Sequence, residues 1–262
     1  MYGLFAYINN MFEKKKLNNA LRYYRHHQEY LNKIIEALNE SELDYAIVGG
    51  FVKYVLSSDD NTDNGPRDFD IVVNCTDEAI LLLVESLGLP YIRNDFGGIK
   101  IKPSENDTFA CKDIDIWTLE SHKPFEALEL LYKSFSPYKL KAIRVFSNIP
   151  TTAWISLDGA TWVVNQNKLY AKNTKKSLKT KAVFITNMKA LNSYKYENRF
   201  MIAAKLIKYY YLGYDLNIDC WRIIKDELGK EPDKIEDFLN NHYNYQISWR
   251  SFIDEKIMQK IS

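Results

Sequence analysis

The chain has 262 residues, 46% of them apolar and 26% charged, enough for one large domain or two small ones around a real core. A net charge of +1 excludes a global field drawing the protein onto nucleic acid or membrane, so any basic binding surface is local. Cys75, Cys111 and Cys220 have no zinc spacing, the N-terminus lacks signal-peptide features, and no apolar run reaches the ~20 residues of a membrane span. The expectation is a cytoplasmic protein without membrane contact. Its 19 Tyr and 13 Phe read as compositional bias rather than as base-stacking platforms.

In chain order, Leu21, Tyr24, Leu31, Ile35 and Leu38 recur at helical spacing and predict one amphipathic helix over residues 18–39. Residues 45–48 form a short apolar strand, followed by Gly49-Gly50 and an apolar helix start over 51–56. The small polar residues of 57–66 predict a surface loop. Residues 68–73 then read as a strand of period 2, and Thr76 is placed to cap a helix reaching about Leu87. Two short strands follow at 91–93 and 99–102, hinged at Gly97-Gly98. The next strand, 112–119, sends Ile114 and Ile116 to one face and Asp113, Asp115 and Trp117 to the other. A helix around 125–133 precedes apolar, β-rich pieces at 143–146, 153–157 and 162–164. Composition then turns Lys-rich over 168–189 and helical from Tyr196 onward. The organisation expected is an N-terminal helical segment (1–40), a mixed α/β domain (41–165), and a Lys-rich connector with a helical domain (166–262).

Two carboxylates at i and i+2 on a strand share a face and repel unless a cation lies between them. Asp68 and Asp70 have that spacing. Magnesium or manganese suits such hard oxygen ligands and keeps positions open for phosphate. A third carboxylate on a nearby strand completes a two-metal site, with Asp115 the leading candidate and Asp113 beside it. Gly49 and Gly50, without Cβ atoms, let a triphosphate approach backbone N–H groups at the helix start.

The ordered set Val48-Gly-Gly50, Asp68-Phe-Asp-Ile71 and Ile114-Asp-Ile116 resembles the nucleotidyltransferase superfamily related to DNA polymerase beta. Within it, the chain is most similar to the head domain of poly(A) polymerases and CCA-adding tRNA nucleotidyltransferases. Residues 49–54 resemble the family's GGxVRD helix, with Lys53-Tyr54 standing where Arg-Asp is usual. Residues 66–70 resemble its carboxylate strand, and Ile114-Asp-Ile-Trp-Thr118 follows its third strand, which selects Asp115 over Asp113. Fainter likeness over 198–204 and 212–216 suggests the helical neck. No EDxxR-type motif stands in the C-terminal half.

The resemblance implies an α+β nucleotidyltransferase fold, a mixed sheet with flanking helices, plus a C-terminal helical domain forming the other wall of a nucleotide cleft. It implies Asp68, Asp70 and Asp115 as catalytic, Mg²⁺- or Mn²⁺-binding residues. Nucleotide contacts are expected from Gly49, Gly50, Lys53, Arg67, Arg199 and Lys205. Lys100 and Lys102 read as cleft lining or as solvation of an edge strand. The implied partners are an NTP and an RNA acceptor, tRNA included; nothing points to a specific protein partner. A small-molecule or protein hydroxyl is the alternative acceptor, and a non-catalytic nucleotide- or RNA-binding module the alternative role. The lysines of 168–181 read as a solvated loop or as RNA-phosphate contacts.

Overall fold

The computed structural model describes residues 2–57, 66, 68–93, 98–107, 112–118, 146, 154–188, 191, 199–243 and 245–262, with backbone only for 2–10. Most of the expected loop 57–66, the Gly97 end of the hinge, the helix around 125–133, most of the piece 143–146, Arg67 and Cys111 lie outside those residues. The chain divides into two units: residues 1–152 with 158–172, and residues 153–157 with 173–262.

The first unit starts with two helices rather than the one continuous helix expected, α1 (Tyr2–His27) and α2 (Glu29–Glu40). Gln28 breaks the run with an extended backbone, φ −135° and ψ 101°. Its buried side-chain amide donates to the Lys112 carbonyl, and the Glu29 amide donates to Asp107 Oδ1 at 2.8 Å. The break is thus made by partners some eighty residues away. Leu31, Ile34, Ile35 and Leu38 form the buried stripe of α2.

Seven strands follow, in the sheet order β3-β4-β5-β2-β1-β6-β7: β1 (Tyr45–Val48), β2 (Asp68–Val73), β3 (Tyr91–Arg93), β4 (Ile99–Ile101), β5 (Asp113–Thr118), β6 (Thr161–Val163) and β7 (Lys168–Tyr170). The β2–β5 pair is parallel and the other pairs are antiparallel. Between strands lie α3 (Gly50–Leu56) and α4 (Asp77–Ser86), whose N-cap Thr76 accepts from the Ala79 amide as its sequence predicts. Period-2 alternation sorts the side chains. Phe69, Ile71, Ile114 and Ile116 enter the main core with Ile47 and Phe51. Val72 and Trp117 enter a smaller cluster on the opposite side with Val48 and Phe146. Tyr24, Phe51 and Phe69 meet with ring centroids 5.1–6.0 Å apart, tying α1 and α3 to β2. β4 is an internal strand, so Lys100 does not solvate an edge.

The second unit holds its own core. The Lys-rich segment, expected as a connector with a solvated loop as its plainest reading, is instead strand β7 of the first unit followed by helix α5 (Lys172–Thr180), which enters the second unit at Asn173. Then come α6 (Arg199–Tyr211), α7 (Ile218–Leu228), α8 (Pro232–His242), α9 (Trp249–Phe252), a π-type turn (Ile253–Ile257) and α10 (Met258–Ile261). A two-stranded parallel piece pairs β8 (Ala182–Val183) with β9 (Asp215–Leu216). Leu206, Ile207, Cys220, Ile224, Leu239 and Trp249 are among its fully buried residues. Of the three consecutive tyrosines, Tyr209 is buried, while Tyr210 and Tyr211 are half-buried among Trp221, Tyr245, Trp249 and Phe252.

Candidate active site

The site begins with a register. Because β2 and β5 run parallel, Asp68 stands beside Asp113 and Asp70 beside Asp115. Residues at i and i+2 share a face, so all four carboxylates lie on one side of the sheet while Phe69 and Ile114 fill the core behind them. On the other flank Val48 is the register partner of Asp70, which brings the glycine pair that follows β1 against the acids.

That approach is what the glycines are for. Gly49 has φ 65° and ψ −126°, a conformation strained for any residue with a side chain. A Cβ at Gly49 would lie 2.9 Å from Asp70 Oδ2, and one at Gly50 would lie 3.4 Å from Asp68 Oδ1. The space beside both carboxylates exists only because the two positions are glycine. The Gly49 amide itself donates to the Ala160 carbonyl at 3.2 Å.

Lys100 brings a cation to this face. It sits on β4 directly opposite Asp115, and its ammonium lies 2.9 Å from Asp113 Oδ2 and 3.7 Å from Asp115 Oδ2. Burial pulls its pKa down, but the Asp113 hydrogen bond and the charges of Asp115, Asp113 and Asp68 outweigh that, holding it above the ordinary lysine value. Sequence reading placed Lys100 on a basic stripe and missed this pairing, because the register of β4 on β5 is not written locally. Lys102 is exposed.

Lys53, on α3, lies 3.8 Å from Asp158 Oδ1, a half-buried contact that no sequence signal announced. At the far end of β5, the buried Thr118 hydroxyl donates to Asp77 Oδ1 and ties the strand to the first turn of α4. Arg199 and Lys205 stand on α6 in the second unit. The Arg199 guanidinium forms an ion pair with buried Glu227 at 3.3 Å, and Lys230 joins the same carboxylate at 3.0 Å. Lys205 is half-buried on the same helix.

Among the described residues, no three carboxylate, histidine or cysteine side chains are drawn into one closed metal-binding group. The donor set nonetheless suits a divalent ion. Asp68 and Asp70 offer hard oxygens from one face, beside glycines where a Cβ would intrude on that space. Asp115 stands in register next to Asp70 but is held by Lys100.

The sheet and its flanking helices match solved structures across most of the chain. This is the nucleotidyltransferase fold. A CCA-adding enzyme in complex with ATP aligns over 92% of this chain and 52% of its own, with TM-score 0.57 and 12% identity. A tRNA nucleotidyltransferase complexed with a primer tRNA and an incoming ATP analog aligns over 86% and 61%, with TM-score 0.54 and 15% identity. The Thermotoga maritima CCA-adding enzyme complexed with tRNA aligns over 91% and 54%, with TM-score 0.54 and 14% identity. The chain therefore spans little more than half the length of these nucleotidyltransferase structures. No family model and no curated protein matches it by sequence. No helix among the described residues is long and apolar enough to cross a membrane.

Proposed function

We propose that the protein is a divalent-metal-dependent nucleotidyltransferase that moves a nucleoside monophosphate from an NTP to an acceptor hydroxyl, with an RNA 3′ end, tRNA included, as the favoured acceptor. The observation that carries this reading is the pair Asp68 and Asp70 on β2, with glycine backbone pressed against both and Asp115 in register on β5.

Asp68 and Asp70 would hold Mg²⁺ or Mn²⁺. Bound there, a divalent ion supplies charge neutralisation to a triphosphate and acidifies a coordinated hydroxyl. The acceptor oxygen forms a bond to the α-phosphorus as the bond from that phosphorus to the bridging oxygen breaks, and pyrophosphate leaves. Asp115 accepts the hydroxyl proton once it is released from Lys100. The glycine pair admits the phosphates close to the chain, and Lys53 stands one turn into α3 with a charge suited to them. The RNA acceptor is supported by the fold shared with structures that hold tRNA.

The test is incubation with each labelled NTP, Mg²⁺ or Mn²⁺ and total RNA, beside an Asp68→Ala, Asp70→Ala double variant. Label in RNase-sensitive material, absent from the variant, is the expected result. Label confined to protein or small molecules overturns the acceptor, and absence of transfer under every condition overturns the activity.

A further inference from the structure

Residues 160–196 carry eight lysines and no Asp or Glu, in a chain whose total charge is near zero. Helix α5 sits inside that stretch, and its sequence, KNTKKSLKT, has no apolar stripe to hold it down. Two hydroxyls and the half-buried Leu178 hold it instead. Thr174 and Ser177 are fully buried, the Thr174 hydroxyl donates to the Ser156 carbonyl at 3.0 Å, and the Ser156 and Ser177 hydroxyls meet at 2.7 Å. At 100° per residue, Thr174 and Ser177 define one side of the helix, and Lys172, Lys176 and Lys179 fall on the other at i, i+4 and i+7. All three are exposed, and among the described residues none makes an ion pair. Lys176 also rests over the Phe184 ring at 4.9 Å, which fixes the position of its charge.

A row of three cations without acids among them repels itself, so the arrangement costs stability unless a polyanion covers it. Two kinds of polyanion are common. A membrane-surface helix needs large apolar side chains beside its lysines, and α5 exposes none; its opposite side is threonine and serine. A nucleic-acid backbone needs only charge and reach. The lysine row spans about 10 Å of helix, while one strand of a duplex presents a phosphate about every 3.4 Å of its axis.

We propose that the exposed lysine face of α5 is a docking surface for the phosphate backbone of RNA. This rests on the reading of the protein as an RNA nucleotidyltransferase and names the helix that grips its acceptor. Contacts of this kind set affinity and salt dependence but carry no sequence preference.

The experiment measures binding of a labelled RNA hairpin with a single-stranded 3′ end across 50–300 mM KCl. It compares the wild type with the triple variant Lys172→Gln, Lys176→Gln, Lys179→Gln, and with an arginine triple variant at the same positions. A further triple, Lys234→Gln, Lys256→Gln, Lys260→Gln, removes the same charge from exposed positions on other helical segments of the second unit. The glutamine variant of α5 should bind about tenfold or more weakly at 50 mM salt, with the slope of log affinity against log salt reduced by about 2. The arginine variant and the control triple should keep the wild-type slope within about 0.5. Circular dichroism and thermal melts establish that each variant is folded. Equal weakening by the control triple, or an unchanged slope in the α5 triple, overturns the proposal. So does lysine-dependent binding to phosphatidylserine vesicles without binding to RNA. The transfer assay on the same variants separates the two claims. RNA transfer with unaltered RNA affinity in the α5 triple removes the docking surface and leaves the enzyme, whereas lysine-dependent RNA binding without any transfer removes the enzyme and leaves the surface.

Discussion

Gly49 and Gly50 look interchangeable in the sequence and are not. Gly49 carries both a positive φ and a Cβ position 2.9 Å from Asp70 Oδ2, whereas Gly50 has only the milder 3.4 Å approach to Asp68. Gly49→Ala should therefore cost about 1–3 kcal/mol in thermal unfolding and remove most transfer activity. Gly50→Ala should cost less than half as much; equal losses would show that the backbone conformation is not what matters. Lys100 gives a second ordering. Because its ammonium competes for Asp113 and Asp115, Lys100→Met should tighten Mn²⁺ binding several-fold, read by electron paramagnetic resonance without any turnover. Weaker binding in that variant would mean that Lys100 organises the acids rather than neutralising them.

At the level of elements, the α1–α2 break shows how a helix end is made by distant chain. Gln28 offers no side-chain cap, and Asp107 does the work, accepting from the Glu29 amide at 2.8 Å and from the Ser104 amide at 2.7 Å. Asp107→Ala should lower stability by about 0.5–2 kcal/mol, with faster amide exchange in the first turn of α2. No increase in exchange there would assign Asp107 to the loop alone. Helix α7 makes a different case. Cys220 is buried in its first turn, its thiol directed at the Val183 carbonyl, and burial pushes its pKa up to about 12. A raised thiol pKa leaves almost no thiolate at neutral pH, so native Cys220 should escape iodoacetamide up to pH 9, while half-buried Cys75 reacts. Peptide mapping checks this, and labelling of Cys220 before unfolding would contradict the burial.

Across the whole molecule, what was legible in the sequence is what obeys a local period. The alternation Asp68, Phe69, Asp70, Ile71 fixes strand, face and core together, and the isoleucines flanking Asp115 do the same on β5. Long-range register was not legible. Nothing near Lys100 says it will stand opposite Asp115, nothing near Lys53 points to Asp158, and nothing near Arg199 points to Glu227. Helix α5 escaped for a different reason: its buried side is made of Thr174 and Ser177, so it has no apolar rhythm to detect.

A divalent ion that binds the native state and not the unfolded chain should raise the melting temperature. The rise corresponds to about 2.7 kcal/mol at a hundred times the dissociation constant, and it should vanish with EDTA or in the Asp68→Ala, Asp70→Ala variant. An equal rise in that variant would place the ion elsewhere. The parallel pairing of β2 with β5 adds something about time. Asp68 and Asp113 become neighbours only when the long connection that carries α4, β3 and β4 has closed and set β5 against β2, a non-local closure of the slow kind. In a refolding chain the acidic face therefore assembles after hairpins such as β3–β4, and capture of Mn²⁺ would serve as a clock for one of the last events of folding.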